Sequence, residues 1–447
     1  MGVTYIIEDM PPLDALQSLP RVREQHLDNG LKVIVQELRT APLVSVWCWY
    51  RVGSGDEGVG LTGVSHWVEH MNFKGTERIP RDRMKGIVER SGGMWNGYTW
   101  IDQTTYLETA ASAALDDLLF LEAERMAHGL YEPHECEAER TVIISELQGG
   151  DNDPEVLLDT EVTATALRVH PYGHPTIGWL QDLESMTRDD LYGHYRRHYH
   201  PANATLVVVG DVDADDVFRR AAHHFGRIPE GPANGRRRPK EPTQLGERRV
   251  VLEREGTTAY LKLAYPAPAA HDRDFFPALL LDAVLTGAKG LSLWCAFTRP
   301  AAQRKARLYT GLVERGLASA VSGAILPTID PFLYTIAFTA TDGISLTDLE
   351  NAALGEIERV RSLGVTRTEV DRAKRQLKAR LVFETDSVTN IAHQLGYFET
   401  VTGTDLFFRL PQLIDAVTPE QVSDVARRRL AASSRTVGWF RPVEPGS

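Results

Sequence analysis

One stretch of this chain decides how the rest is interpreted: Gly63-Val64-Ser65-His66-Trp67-Val68-Glu69-His70-Met71-Asn72-Phe73-Lys74-Gly75-Thr76. His66 and His70 are four residues apart, so a helix with 3.6 residues per turn places both imidazoles on one face. Two imidazoles at that spacing can hold one Zn²⁺ ion, with the carboxylate of Glu69 close enough to handle protons. The alternative is a pair of partly buried histidines that hydrogen-bond to carbonyl groups.

A third ligand has to come from elsewhere in the chain, because a catalytic zinc site keeps three protein ligands and one water. The best candidates are Glu139 and Glu146, which are seven residues apart and therefore share one helix face. Val142 and Ile143 fall between them, so this face is predicted to point inward. A carboxylate there needs a cation, a metal or a hydrogen-bond donor. The alternative is a solvent-exposed helix face on which both carboxylates are solvated.

Composition limits the class of protein. The chain has 447 residues, which is too long for one compact core, so two or more domains are expected. A hydrophobic content of 43% and a charged content of 25% are typical of a globular protein. The formal net charge of -12 argues against nucleic-acid binding, which favours a basic surface.

The cysteines and the apolar runs indicate the cellular compartment in which the protein is expected. Cys48, Cys136 and Cys295 have no Cys-x-x-Cys spacing, which argues against a disulfide scaffold and fits a reducing environment. Residues 1–21 carry acidic side chains and no apolar core of a secretory signal. No apolar run reaches the length that spans a membrane. Cytoplasm is the expected location, with no membrane association.

The first half alternates strand and helix signals, which favours an α+β fold with helices packed against one mixed sheet. The predicted strands are Leu31 to Leu38, Leu43 to Val52, Met94 to Glu108 and Ala204 to Gly210. The predicted helices are Arg81 to Arg90, Ala113 to Ala127, Pro133 to Gly149, Asp189 to His198 and a helix capped by Asp213 that runs to Phe225.

A segment rich in proline and arginine, residues 229–246, separates this half from a second one. Its Arg236-Arg237-Arg238 triplet is interpreted as a solvated basic linker. The predicted domains are therefore 1–228, with the zinc site, and 247–447, without one. The second half repeats the pattern of the first, which indicates a duplicated domain. Its predicted elements are the strands Thr258 to Tyr265, Ala318 to Leu326 and Leu333 to Thr339, and the helices Asp274 to Leu285, Ser345 to Ser362 and Arg367 to Phe383.

The helix Asp274 to Leu285 takes the place of the His66/His70 helix in this alignment, and it contains no His or Glu. Other histidines are weaker candidates for metal binding. His170 and His174 lie in a turn rich in Pro and Gly, and His198 and His200 lie near a helix end, so loop-lining or hydrogen-bonding roles are predicted for all four.

The order His-x-x-Glu-His is the inverse of the commoner zinc-protease motif. With Phe73-Lys74-Gly75-Thr76 after it, the stretch resembles the zinc peptidases that include pitrilysin, insulin-degrading enzyme and the mitochondrial processing peptidase. The chain looks most similar to their short bacterial members, in which two homologous α+β domains form half of a clam-shell chamber. Further similarity lies in Gly92-Gly93-Met94-Trp95-Asn96-Gly97-Tyr98-Thr99, in His170-Pro171-Tyr172-Gly173 and in Gly210-Asp211.

The resemblance implies roles for individual residues. His66, His70 and Glu146 would hold one Zn²⁺ per chain, and Glu69 would act as the general base. Glu139 would support the site without binding the metal. Asn96, Gly97 and Tyr98 would lie in a strand whose edge pairs with an extended peptide substrate, and a free edge needs little sequence specificity.

One departure from the family pattern concerns the second half. Family members carry an Arg and a Tyr there that hold the substrate carbonyl, but the matching positions here are Val313 and Ser319. Of the glycine-rich loop before them, Gly287 and Gly290 remain, and Leu291 to Gln303 is bulky. The chain therefore resembles the zinc-bearing subunit of a heterodimer, whose partner would carry the Arg/Tyr pair and lack the zinc motif.

The predicted function is zinc-dependent hydrolysis of peptide bonds by such a subunit. Two alternatives stay open: a non-catalytic core or assembly subunit of the same fold, and a homodimeric peptidase that acts alone. The substrate class is open between general peptides, the leader of a peptide natural product and a targeting presequence.

Overall fold

The computed structural model describes residues 22–232, 235–236, 238–291 and 303–444. Four predictions concern residues outside these ranges: the character of residues 1–21, the state of Cys295, the bulk of the loop between Leu291 and Gln303, and the solvation of Arg237. Cys48 and Cys136 are buried free thiols, as expected for a chain without a disulfide scaffold.

The first half forms a six-stranded mixed sheet in the order β1-β2-β6-β3-β5-β4. Its strands are β1 (Arg23–His26), β2 (Lys32–Glu37), β3 (Leu43–Tyr50), β4 (Met94–Thr99), β5 (Thr104–Ala111) and β6 (Ala204–Gly210). β6 is buried along its whole length, as its unbroken apolar run predicts. β4 is one of the two edge strands and pairs with β5 in antiparallel register.

The single strand predicted from Met94 to Glu108 is wrong, because the chain turns back at residues 100–103. The Trp100 N–H donates to the Gln103 carbonyl at 2.8 Å, and the N–H of Ser54 donates to the Trp100 carbonyl at 3.0 Å. The turn contains neither Gly nor Pro, and Asp102 is its one common turn residue, so the break signal within this run of aromatic and β-branched residues is weak.

The second half forms a five-stranded sheet in the order β7-β11-β8-β10-β9. Its strands are β7 (Arg248–Glu255), β8 (Tyr260–Pro266), β9 (Ala318–Ala324), β10 (Leu333–Ala340) and β11 (Thr436–Val443). This order is the same as β2-β6-β3-β5-β4 in the first half, with the parallel pairs β2/β6 and β7/β11 in equivalent places. The predicted duplication of one α+β unit is confirmed.

Fourteen helices of the α type lie in the described ranges: α1 (Val64–Met71), α2 (Arg81–Glu89), α3 (Leu115–His128), α4 (Pro133–Asp151), α5 (Pro154–Ala166), α6 (Leu180–Ser185), α7 (Arg188–His198), α8 (Ala214–Phe225), α9 (Phe275–Leu285), α10 (Leu346–Leu363), α11 (Arg367–Phe383), α12 (Val388–Val401), α13 (Thr404–Ala416) and α14 (Pro419–Arg429). Asp213 caps α8 as predicted, since its carboxylate accepts the Asp216 N–H at 2.9 Å. The helices α5, α6 and α12 to α14 were not predicted from the sequence.

Each sheet is covered by a helix from the other half of the chain. α5 follows the first-half helix α4 but packs on β7, β8 and β11, and its Leu158 and Val162 share an apolar cluster with Ala264 and Phe440. α12 belongs to the second half but packs on β3 and β6. The two halves are therefore interleaved through α5 and α12.

The prediction of a solvated arginine linker is wrong for Arg238, whose side chain is 5% exposed. Its guanidinium lies 3.0 Å from the Asp56 carboxylate, 2.7 Å from that of Asp102 and 3.1 Å from that of Asp330. Asp56 and Asp102 belong to the first half and Asp330 to the second, so Arg238 ties the two halves together. Paired burial of this kind cannot be read from the linker composition, because the partners are 92 to 182 residues away.

None of the helices in the described ranges combines the length and the apolar character that crossing a membrane would require. The cytoplasmic location stays a prediction, as do the domain limits 1–228, 229–246 and 247–447.

Candidate metal centre and active site

The helix α1 starts at a tightly packed turn. Gly63 precedes it with φ of 91°, and a Cβ on this residue would lie 2.3 Å from the Ile177 carbonyl oxygen, so only glycine fits. The buried carboxylate of Glu57 accepts the N–H groups of Gly63 and Ser65, each at 2.8 Å. Burial raises the pKa of Glu57 to about 8, against the lowering effect of these backbone donors. The turn fixes where the helix begins and hence where its histidines point.

The side chains of His66, His70 and Glu146 come together between α1 and α4. One potential ligand atom from each of the three lies within 4.8 Å of the other two. The carboxylate Oε2 of Glu146 is 3.9 Å from His66 Nε2 and 3.8 Å from His70 Nε2. Within the described ranges this is the one cluster of at least three His, Cys, Asp or Glu side chains with such geometry.

The two imidazoles differ in their surroundings. Burial lowers the pKa of His66 to about 3, and the neighbouring His70 adds to this effect, so His66 is neutral near pH 7. Burial also disfavours the charged form of His70, but the hydrogen bond to Glu139 and the nearby carboxylates outweigh it and raise the pKa of His70. A neutral imidazole is the form that binds a metal.

Glu139 lies behind His70. Its Oε1 is 2.8 Å from His70 Nδ1, which leaves Nε2 directed at Glu146. Its other oxygen pairs with the Lys74 ammonium group. Burial works against ionisation of Glu139, but the hydrogen bonds from His70 and Lys74 outweigh it and lower its pKa. A carboxylate that accepts from the outer nitrogen of a ligating His fixes the tautomer and the ring orientation.

The predicted apolar face of α4 is only partly correct. Ile143 is fully buried, but Val142 is 50% exposed. Glu139 is buried, whereas the Glu146 side chain is 52% exposed. Seven residues are slightly less than two full turns of a 3.6-residue helix, and Val142 falls on the flank of the stripe. The stripe therefore runs from the buried Glu139 outward to the half-exposed Glu146.

Glu69 lies on α1 between the two histidines and faces the edge strand β4. Its Oε2 accepts a hydrogen bond from the Thr99 hydroxyl at 3.0 Å. A Cβ on Gly97 would lie 3.1 Å from Oε1 of Glu69 and 3.0 Å from the Phe73 ring. Burial raises the pKa of Glu69 to about 7, with His70 and the Thr99 hydrogen bond acting in the opposite direction. Glycine at position 97 keeps the space beside Oε1 open.

The predicted substrate-binding residues occupy different sides of β4. Asn96 is exposed, and its Oδ1 accepts the Gly97 N–H at 2.9 Å. The Tyr98 side chain lies on the face away from α1, where its Oη is 2.8 Å from His393 Nε2 of α12. Substrate contact by Tyr98 would therefore have to use its main chain.

The donor set fits a zinc ion. Two imidazole nitrogens and a carboxylate oxygen are the ligands that a catalytic zinc takes, and tetrahedral bonds of about 2.0–2.1 Å place such donors roughly 3.3 Å apart. The distances of 3.8 and 3.9 Å to Glu146 are close to this value. The Glu146 side chain is 52% exposed, so it has room to move toward the two imidazoles.

Three residues around the site were not predicted from the sequence. Thr99 holds Glu69, Lys74 pairs with Glu139, and the buried Arg125 donates through Nε to the Asn72 carbonyl at the end of α1 at 3.3 Å. Two of them have a signal in the sequence. Thr99 shares a strand face with Gly97, and Lys74 follows His70 by four residues. For Arg125 the only hint is a charged residue within an apolar helix stripe.

The two second-half positions that the resemblance aligns with an Arg/Tyr pair, Val313 and Ser319, are near β9. Val313 is half-buried against the core of that half. Ser319 is exposed on β9, and its hydroxyl lies 3.4 Å from the Thr339 carbonyl. Neither side chain carries a charge.

The predicted loop and hydrogen-bonding roles agree with the contacts of His170 and His174. His170 Nδ1 accepts the Tyr172 N–H at 3.2 Å, and His174 Nδ1 lies 3.1 Å from the Pro175 carbonyl.

Comparison with known proteins agrees with this architecture. Residues 32–179 match the family described as insulinase (peptidase family M16), and residues 185–377 match the peptidase M16 inactive domain. The chain is 29% identical over 388 residues to the zinc protease PqqE of Helicobacter pylori, covering 85% of this chain and 84% of that protein.

Two further similarities extend over nearly the whole chain. The mitochondrial-processing peptidase subunit beta of Blastocladiella emersonii is 25% identical over 433 residues, covering 96% of this chain and 90% of that protein. The crystal structure of a protease from Helicobacter pylori superposes with a TM-score of 0.87 and 26% identity, covering 95% of this chain and all of that one (100%). The chain therefore belongs to peptidase family M16, the insulinase family, and is of its short bacterial type.

Proposed function

We propose that this chain is the zinc-bearing subunit of an endopeptidase that hydrolyses peptides or unfolded segments. The observation that carries the proposal is the convergence of His66, His70 and Glu146, with donor atoms within 4.8 Å of one another and Glu69 on the same helix turn. The names of relatives as zinc protease and mitochondrial-processing peptidase subunit support it.

His66, His70 and Glu146 would hold one Zn²⁺ per chain. When bound, Zn²⁺ supplies Lewis acidity, which lowers the pKa of a water toward neutrality and polarises a substrate carbonyl. Glu139 holds the His70 ring in place through the 2.8 Å contact to Nδ1. Lys74 pairs with the second oxygen of Glu139 and keeps that carboxylate ionised.

Glu69 is the proposed general base. Its carboxylate takes a proton from the attacking water and delivers it to the leaving amine. Burial raises its pKa to about 7, and a base with a pKa near the working pH exchanges protons in both directions most effectively.

The substrate is proposed to add as an extended strand to the free edge of β4. This strand pairs on one side with β5 and has no strand neighbour on the other side among the described residues. Main-chain hydrogen bonds then bind the peptide, with Asn96, Gly97 and Tyr98 beside the scissile bond. Gly97 lies next to Glu69, so the bond to be cleaved would pass close to the base.

The partner is proposed to be a related subunit that lacks the zinc motif and carries an Arg/Tyr pair. A developing oxyanion needs donors beyond the metal. The half-buried Val313 cannot donate, and the Ser319 hydroxyl lies against the Thr339 carbonyl. A heterodimer in which the second chain supplies these donors accounts for both positions.

The test of the base is Glu69→Gln in the active preparation, with the partner present when the chain is purified with one. Turnover of an unstructured, fluorescently quenched peptide should fall by at least about a thousandfold, while metal analysis still finds one zinc per chain. Asp282→Asn is the matched control, because Asp282 lies on α9, the equivalent helix of the second half. Full turnover by Glu69→Gln would refute the assignment.

The partner proposal has its own test. The homogeneous chain alone should turn the peptide over about a hundredfold more slowly than the same chain co-expressed with a zinc-free family subunit, since one missing oxyanion donor costs that much. Full activity of the chain alone would favour the self-sufficient homodimer. Absence of zinc after purification with added metal would favour a non-catalytic assembly subunit.

A further inference from the structure

The edge strand β4 presents one of its faces to the zinc helix. Side chains alternate along a strand, so Trp95, Gly97 and Thr99 share a face. All three meet α1 or Phe73, which lies two residues beyond its end. Trp95 packs on Phe73 with ring centroids 4.9 Å apart, Gly97 leaves space for Phe73 and Glu69, and Thr99 donates to Glu69. The last contact joins the substrate strand to the proposed base.

We propose that Thr99 is a positioning residue that holds the Glu69 carboxylate in the orientation needed for proton transfer. The inference rests on the proposed function of Glu69 as general base. The Thr99 hydroxyl binds Oε2 at 3.0 Å, while Oε1 is the oxygen beside Gly97. One oxygen is thereby fixed, and the other is left facing the place where a peptide would add to β4.

The hydroxyl proton of Thr99 is available for this bond. The other polar neighbour of Thr99 is the Thr104 hydroxyl at 3.3 Å, and Thr104 gives its own proton to the Val52 carbonyl at 2.9 Å. A carboxylate is a stronger acceptor than a hydroxyl. Thr99 therefore donates to Glu69 and is not required to satisfy Thr104.

The backbone around Thr99 is held from two sides. Thr99 lies opposite Thr104 in the β4/β5 register, one residue before the turn closed by Trp100 and Gln103. The preceding residue, Tyr98, is hydrogen-bonded to His393 on the other face of the sheet. A donor on such a rigid frame can define a side-chain orientation within the narrow limits that proton transfer needs.

The experiment compares Thr99→Val, which keeps the shape and removes the hydroxyl, with Thr99→Ser, which keeps the hydroxyl. Thr99→Val should lower kcat by about 10- to 100-fold with KM and zinc content unchanged, as expected for loss of a group that orients the site. Thr99→Ser should retain kcat within about threefold of the original chain. A purely structural role would not produce this split between kcat and zinc content.

Thr105→Val on β5 is the matched control, because its hydroxyl donates to the Cys48 carbonyl at 3.0 Å and does not reach Glu69. It should lower the unfolding temperature at least as much as Thr99→Val and leave kcat unchanged. Unchanged kcat in Thr99→Val, or an equal loss in Thr99→Ser, would overturn the inference. If the Thr99 variants gave either of these results but Glu69→Gln still abolished turnover, the proposed function would stand without a positioning role for Thr99.

Discussion

The two halves of the molecule place a helix and an edge strand in equivalent positions: α1 with β4 in the first half, and α9 with β9 in the second. In both, a carboxylate of the helix meets a glycine of the edge strand. A Cβ on Gly97 would be 3.1 Å from Glu69 Oε1, and one on Gly323 would be 2.2 Å from Asp282 Oδ1. The same contact survives in both copies of the duplicated unit.

The surroundings of the two carboxylates differ. The Thr286 hydroxyl donates to Asp282 at 2.6 Å, and the Lys289 ammonium lies 3.4 Å from its second oxygen. All 11 residues of α9 are buried. Glu69 has Thr99 as its one hydrogen-bond donor among the described residues, and it lies on α1 between His66 and His70. One backbone frame thus supports either a carboxylate paired with an ammonium group or a carboxylate beside two imidazoles, and a few side chains decide which.

The largest effect is expected from removing one of the two histidines of α1, because the equivalent helix α9 has none. His70→Ala should lose bound zinc and at least about a thousandfold in turnover, because two protein ligands do not hold a catalytic zinc. Metal analysis and peptide turnover measure this. Retention of one zinc per chain at full rate would show that the two helices differ for another reason.

A smaller effect is expected from weakening the contact between Glu139 and the proposed zinc ligand His70. Glu139→Gln keeps the shape but weakens the contact to His70 Nδ1 and the pairing with Lys74. Zinc affinity should fall about 10- to 100-fold, measured by competition with a chelator of known affinity. An unchanged affinity would exclude an orienting role for Glu139.

Alanine substitutions of Gly97 and Gly323 are expected to have effects of intermediate size, one on kcat and the other on stability. Gly97→Ala places a methyl group 3.0 Å from the Phe73 ring and 3.1 Å from Glu69 Oε1, so kcat should fall about tenfold with a small change in stability. Gly323→Ala meets Asp282 Oδ1 at 2.2 Å, so it should cost about 1–3 kcal/mol in the free energy of unfolding and leave the rate per folded molecule unchanged. If both substitutions changed kcat and the free energy of unfolding equally, the surroundings of Gly97 and Gly323 would not differ in function.

The smallest effect concerns pH and the start of α9. Hydrogen bonds from Arg428 and Arg429 hold the pKa of Asp274 at about 2, below its usual value of 3.8. A carboxylate with a lowered pKa in the folded state stabilises above the unfolded pKa and loses this contribution as pH falls through the folded one.

Asp274→Asn removes this titration. The difference in the free energy of unfolding between the original chain and the variant should be constant above about pH 5 and shrink between about pH 4 and pH 2. Chemical unfolding at several pH values measures it. A difference that stays constant down to pH 2 would rule out the pairing with α14. The equivalent helix α1 offers no such lowered carboxyl at its start, where the pKa of Glu57 is raised.

Much of the fold follows from local patterns. The strand at Ala204–Gly210, the helix after Asp213 and the helix Arg367–Phe383 have strong periodicity or a cap, and the structure places them as predicted. The histidine spacing on α1 and the pair Glu139 and Glu146 also lie within single helices. Local chemistry is enough where the contacts are between near neighbours in sequence.

Features that depend on distant contacts were not predictable in this way. The turn at residues 100–103 is held by N–H groups of a loop near residue 54, and Arg238 is buried by carboxylates from both halves. Thr99 owes its contact to Glu69, 30 residues earlier on another element. Composition of a segment carries no information about which remote group it meets.

The interleaving of α5 and α12 has a consequence for how this protein could be divided or recombined. A cut in the 229–246 segment would remove from each sheet the helix that covers it, exposing Trp47 and Trp49 in one fragment and Phe440 in the other. Neither half is a portable module, although both descend from one repeated pattern. An exchange of halves between relatives would have to carry α5 with the second sheet and α12 with the first, so the unit of inheritance and the unit of folding are different stretches of the chain.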